Sequence, residues 1–205
     1  LGEINIFEET YLEWRKVHED LNFADLYLEK IGIRKNNLHI ITNKCLYNYQ
    51  YAGIICRLIP NAKIIHCFRN PLDNILSIFR ANFANGNEYS SSLIDCANVY
   101  LDQKNNMEFH NNKFRSRIYD LNYDSLVVNS YTEIKSLISW LGWEWNDTYL
   151  TPHLNKRSVL TASNVQVRSP INSKSINGWK NYKELLKPAM QLITQNHEYQ
   201  NLNYL

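Results

Sequence analysis

Apolar residues recur along residues 8–31 at mostly three- and four-residue steps (Leu12, Trp14, Val17, Leu21, Ala24, Leu28, Ile31), a spacing that predicts one amphipathic helix. Gly32 ends it. Residues 38–42 form a short β-rich run, and a helical stretch over 47–58 stops before Pro60. Ala62-Lys63-Ile64-Ile65-His66-Cys67-Phe68 is a nearly continuous apolar run, the composition of a strand buried on both faces of a parallel sheet. Arg69-Asn70-Pro71 then supplies an asparagine N-cap and a proline at the first helical position, so a helix is expected over 71–83. Further helices are expected over 92–112, 131–141 and 183–195, and a third strand over 116–121.

Strands alternating with helical crossovers of ten or more residues make an α/β chain with a parallel sheet. No Pro/Gly-rich linker or internal repeat interrupts it, so residues 1–205 are expected to form one domain. Composition agrees: 44% hydrophobic and 20% charged residues exclude a disordered or fibrous chain. No apolar run approaches the ~18–20 residues that cross a bilayer.

Net charge is only +2, which does not call for a nucleic-acid partner, but the charge is unevenly spread. Residues 1–30 hold eight acids against three bases, and residues 151–187 hold seven bases against Glu184 alone. The C-terminal third therefore reads either as an anion-attracting surface or as a solvated basic face. Cys45, Cys56, Cys67 and Cys96 form no C-x-x-C pair, and the six histidines form no H-x-x-x-H pair, so no metal is expected. The same cysteine spacing fits a reducing compartment, which favours the cytoplasm. The chain starts at Leu1 without a recognisable signal peptide, and it is expected to be a piece of a longer protein.

Candidate chemistry concentrates where the strand ends at Arg69. Ligands of open α/β sheets bind beyond the carboxyl ends of the strands, and here a helix N-terminus with free N–H groups would favour an anion. The Arg69 guanidinium can grip a phosphate through two parallel hydrogen bonds, and Ser77 lies a little over two helical turns on, near the face of Asp73. The competing possibility is that Arg69 pairs with a nearby carboxylate and Ser77 only packs. No two glycines are two residues apart and none precedes a lysine. G-x-G-x-x-G, Walker A and G-x-S-x-G signatures are therefore absent, which excludes an ordinary dinucleotide dehydrogenase, P-loop kinase or α/β-hydrolase.

The segment from Ala62 to Ser77 resembles the 3′-phosphate-binding segment of sulfotransferases that use 3′-phosphoadenosine 5′-phosphosulfate (PAPS). The segment from Thr161 to Tyr182 is similar to the C-terminal cofactor loop of tyrosylprotein sulfotransferases and their bacterial, often tetratricopeptide-associated, relatives. Thr42-Asn43-Lys44 and the stretch from Tyr119 to Val127 resemble two further family segments, all in the family's order. The resemblance implies a P-loop-nucleotide-hydrolase-like parallel sheet flanked by helices. It implies Arg69 and Ser77 on the 3′-phosphate and Tyr123 near the adenosine or its phosphate. The loop carrying Ser163, Asn164, Gln166, Val167 and Arg168 would wrap the nucleotide. Lys44, beside the transferred group, and Ser163 would offset the charge that builds on the bridging oxygen as the nucleotide leaves, where one aimed donor typically contributes roughly 3–4 kcal/mol. Glu3 would remove the proton of the attacking hydroxyl. Each residue also has a plainer account: Glu3 and Lys44 as solvated charges, Tyr123 as packing, Ser163 as a turn cap.

Implied partners are PAPS or its product adenosine 3′,5′-bisphosphate and a hydroxyl acceptor, for which an acidic tyrosine-containing peptide suits the basic C-terminal third. A non-catalytic nucleotide-binding or interaction module is the alternative. Three departures from the family pattern stand out. The family's first strand and phosphosulfate loop should lie before residue 1 and are not in this chain, so the sheet is expected to lack an inner strand, and the chain is expected either to be part of a longer protein or to oligomerise through the gap. Gly178 occupies a position expected to be basic, which Lys180 replaces only if turned inward. Ala81 stands where some relatives carry arginine, with Arg80 one residue out of phase.

Overall fold

The computed structural model describes residues 6–17, 22–32, 40–83, 86–156 and 166–204. The expected helix over 8–31 is two helices, α1 (Phe7–Val17) and α2 (Phe23–Lys30). Asn22 starts the second by accepting a hydrogen bond from the Asp25 N–H, the usual work of an N-cap. Phe7, Phe23 and Tyr27 are the buried members of this pair, with the Phe7 and Phe23 rings edge-on at 5.3 Å. Leu12, expected on the apolar stripe, is exposed. The large rings offer more area to bury than leucine, and the stripe turns to face them.

Beyond irregular residues 40–45, a 3-10 turn (Asn48–Tyr51) leads into α3 (Ala52–Leu58). Strand β1 (Ile64–Phe68), α4 (Pro71–Ala81), α5 (Leu93–Phe114) and β2 (Ile118–Asn122) follow within a few residues of expectation. Then come α6 (Tyr123–Val128), which periodicity did not announce, and α7 (Ser130–Leu141), closed by Gly142 at φ 77°. Among the described residues between Gly142 and α8 (Lys183–Ile193) lie several short 3-10 turns.

Among the described residues the sheet is a parallel pair, β1 beside β2, with Ile64 opposite Ile118 and Phe68 opposite Asn122. Residues 40–42 of the run expected as a strand are irregular. The register puts Ile64, His66 and Phe68 on the face packed by α5, where Ile64 and Ile118 join Met107 in one cluster. α7 covers the other face only over β2, the Tyr119 and Trp140 rings meeting at 5.3 Å. Consequently β1 is not buried on both faces: Ile65 is 41% exposed and Cys67 is also exposed.

The main core lies where α4, α5 and α8 meet, with Leu72, Ile75, Cys96, Ala97, Leu186 and Ile193 closed around Trp179. Arg117, just before β2, donates to the carbonyls of Cys56, Ile59 and Ala62 and so ties the end of α3 to the sheet. No helix among the described residues is long and apolar enough to cross a membrane.

Candidate functional site

Both strands end in the same local device. After β1, the Asn70 side-chain oxygen accepts the N–H groups of Leu72 and Asp73. At the end of β2, Asn122 does the same for Asp124 and Ser125. These caps alter one expectation: the first N–H groups of α4 are not free for an anion, because Pro71 has none and the next two are spent on Asn70. Anion recognition at this strand end must come from side chains.

The first acidic residue of each helix faces outward from its cap. Asp124 accepts the Asn70 N–H at 2.7 Å, coupling the two strand ends. Asp73, 4% exposed, accepts the Asn177 N–H at 2.7 Å and the Trp179 N–H at 2.9 Å, so α4 holds the segment beyond residue 170 by its backbone.

Arg69 sits between these two carboxylates. Its Nη2 donates to the Ser175 carbonyl at 2.9 Å and lies 3.6 Å from Asp73 Oδ2, while its Nε is 3.9 Å from Asp124 Oδ1. The guanidinium carbon stands 5.0 Å from the centre of the Tyr123 ring, and the Tyr123 hydroxyl meets the Ser175 hydroxyl at 3.4 Å. From the α5 side, the Tyr100 hydroxyl donates to the Arg69 carbonyl at 3.3 Å. The arginine is therefore held by a ring, a carbonyl and two carboxylates, yet among the described residues its buried Nε has no hydrogen-bond partner. Asp124 Oδ1 is likewise buried and, among the described residues, without one. A buried N–H without a partner is a cost that an entering acceptor relieves.

Charge at the arginine itself does not favour an anion, since one guanidinium faces two carboxylates. Both carboxylates are already engaged by backbone N–H groups, which leaves them as positioners of the arginine. Positive potential comes from the basic stretch that this network pins in place, including Arg168, Lys174, Lys180 and Lys183.

The structure thus joins Arg69, Tyr123 and the Ser175 segment, and it leaves other expected residues apart. Ser77 is exposed on α4, one turn beyond Asp73, and forms no hydrogen bond with the arginine group among the described residues. Lys180 is exposed, its ammonium 6.0 Å from the centre of the Trp179 ring, rather than turned inward to replace the missing base. A side chain at Gly178 would stand 3.6 Å from Asp73 Oδ1, which is ordinary contact. Lys44 is exposed in the stretch after residue 40, beside Asn43, whose side chain bonds with Tyr27 and Asn48. Val167 and Arg168 are exposed in a 3-10 turn (Gln166–Arg168), and Arg168 donates to the Asn155 carbonyl. Glu3, Ser163 and Asn164 lie outside the described residues, as does the side chain of Gln166.

Asp124 and Ser175 were not among the residues singled out from the sequence. A signal for Asp124 exists in hindsight, an asparagine at each strand end followed two or three residues later by an aspartate; Ser175 holds Arg69 through its carbonyl, for which no side-chain pattern speaks.

Residues 7–147 match the sulfotransferase family. The chain belongs to that family. An uncharacterized protein of Aquifex aeolicus (strain VF5) is 30% identical to it over 175 residues, 84% of this chain and 23% of that protein. This sulfotransferase-family chain therefore spans about a quarter of that relative's length. In three dimensions it is similar to the sulfotransferase domain from the curacin biosynthetic pathway, with a TM-score of 0.52 at 13% identity, covering 92% of this chain and 77% of the other. That likeness is one of fold, and it accords with the parallel sheet and flanking helices expected from the sequence.

Proposed function

We propose that the protein transfers a sulfuryl group from PAPS to an acceptor hydroxyl, and that this chain holds the 3′-phosphate and adenosine half of the donor site. Membership of the sulfotransferase family supports sulfuryl transfer in general. The observation that carries the donor assignment is the constrained guanidinium of Arg69 at the carboxyl end of β1, 5.0 Å from the centre of the Tyr123 ring and with a buried N–H that lacks an acceptor among the described residues. A ribose 3′-phosphate supplies that acceptor, Tyr123 supplies an aromatic face beside it, and the basic stretch from Arg168 to Lys187 supplies long-range attraction.

In this scheme Ser77 adds a hydroxyl donor to the phosphate from α4, and the loop carrying Ser163, Asn164, Gln166, Val167 and Arg168 closes over the nucleotide. Lys180 contributes charge from the rim. Sulfuryl transfer moves the group from the nucleotide's 5′-phosphate oxygen to the acceptor oxygen, and the acceptor's proton passes to Glu3. Lys44 and Ser163 offset the negative charge that builds on the departing oxygen. Positioning and charge compensation carry most of the rate, as in phosphoryl transfer.

An acidic peptide tyrosine is the proposed acceptor, matched to the seven bases in residues 151–187. Incubation of the protein with radiolabelled PAPS and a panel of acceptors tests both levels at once. Label on an acidic tyrosine peptide supports the whole scheme; label only on sugars or small alcohols removes the peptide acceptor; no label on any acceptor removes the activity.

A second possibility, a nucleotide-binding module without transfer chemistry, draws on the two carboxylates that already engage Arg69. It predicts that adenosine 3′,5′-bisphosphate binds while no acceptor is ever sulfated.

A further inference from the structure

A cavity of about 360 Å³ lies on the α5 face of the sheet, where His66, Cys67 and Phe68 of β1 contribute to its wall, and Arg69 is not among its lining residues. It falls within the ~300–1,000 Å³ of ordinary small-molecule sites. At its wall His66 of β1 and Asp120 of β2, opposite one another in the register, are joined through Nδ1 and Oδ1 at 2.8 Å. The second oxygen of Asp120 accepts a hydrogen bond from the Asn111 side chain on α5. Carboxylate contact at Nδ1 places the ring proton there and leaves Nε2 as an acceptor. Among the described residues Nε2 has no hydrogen-bond partner, and the ring is steadied by stacking at 5.8 Å on Phe68.

The rest of the lining decides what such an acceptor would receive. Four amides, Asn74, Gln103, Asn111 and Asn112, bring paired donors and acceptors. Phe68, Tyr100 and Tyr199 bring ring surface. The one lysine, Lys104, is committed to Glu108 and Glu198, and with Asp120 the fixed charge of the lining is negative. A phosphate or sulfate is repelled here, whereas a neutral ligand with adjacent hydroxyls and C–H faces meets both the amides and the rings.

We infer that this cavity binds a neutral, hydroxyl-rich ligand of sugar type, with a ligand hydroxyl donating to His66 Nε2 and Asp120 orienting the imidazole. The site is distinct from the Arg69 site and does not depend on the sulfuryl-transfer proposal.

The test is NMR on the whole chain with imidazole ¹⁵N detection, using glucose, N-acetylglucosamine and myo-inositol as probes and adenosine 3′,5′-bisphosphate as the control. At least one polyol should shift the His66 Nε2 resonance and show saturation transfer from the protein. His66→Phe and, away from the sheet, Gln103→Leu should each weaken that binding about 10- to 100-fold, as for one lost buried hydrogen bond. The bisphosphate should leave His66 Nε2 unmoved. The inference is overturned if no polyol perturbs His66, if binding survives both substitutions, or if the bisphosphate displaces the polyol. Because the bisphosphate binds elsewhere, its own affinity reports separately on the Arg69 site.

Discussion

Asp73 and Trp179 are joined through the backbone: a carboxylate in the first turn of α4 accepts the N–H of a tryptophan 106 residues later, at 2.9 Å, with both residues almost fully buried. The contact fixes where the basic C-terminal stretch leaves the core, and so where Ser175 meets Arg69.

Removing that carboxylate should therefore loosen both the core and the site. Asp73→Ala leaves two N–H groups without their acceptor and should cost about 2–4 kcal/mol, against a smaller loss for Asp73→Asn, which keeps one acceptor. Chemical denaturation measures it; a loss below about 0.5 kcal/mol for the alanine variant would show that the staple carries no weight.

The contact between α3 and α5 supplies a second expectation. A methyl group at Gly53 would lie 2.7 Å from the His110 imidazole, so Gly53→Ala forces the ring to move. Overpacking costs about 1–3 kcal/mol and outweighs the ~1 kcal/mol that alanine adds to a helix. In a His110→Ala background the same substitution should cost nothing, a coupling visible in a double-mutant cycle.

His110 also gives a pH dependence with a definite sign. Burial, and after it the positive charges of Arg57 and Lys113, push its folded-state pKa below the usual 6.5. The unfolded chain then binds the proton more readily, so this contribution to stability is present above about pH 6.5 and is lost as pH falls through the folded-state value. Melting temperature should drop from pH 7 toward pH 5 more steeply in the parent than in His110→Asn. Equal slopes would contradict the assignment.

Strands β1 and β2 and the cap after β1 were legible because they are encoded locally, though the run at 38–42 was not a strand over its described residues: Ile64 to Phe68 is a β-rich run, and Asn70-Pro71 announces α4 by chemistry that needs no neighbour. Burial of β1 was not, since whether Ile65 is covered depends on what packs beside it, and α7 reaches only β2. The same limit applies to the site. Arg69 and Tyr123 stand out by residue type, whereas Ser175 contributes a carbonyl and Asp124 closes a loop across the sheet, both of them consequences of tertiary placement. The break between α1 and α2 was hidden by a continuous apolar stripe, although Asn22 is a cap residue.

The exposed face of β1 bears on association. A parallel pair with Ile65 and Cys67 uncovered offers an apolar patch and, among the described residues, an unpaired strand edge. The 205-residue chain should self-associate in a concentration-dependent way, and Ile65→Lys should shift it toward monomer in light scattering after gel filtration. A parent chain that stays monodisperse and monomeric at all concentrations would contradict this.

The most direct test of the central claim compares adenosine 3′,5′-bisphosphate with adenosine 5′-monophosphate by calorimetry, in the parent chain and in Arg69→Ala. The bisphosphate should bind about 10- to 100-fold more tightly, the worth of charged hydrogen bonds to one phosphate, and the difference should vanish in the variant. Equal affinities in the parent, or an unchanged difference after Arg69→Ala, would show that Arg69 does not hold a 3′-phosphate.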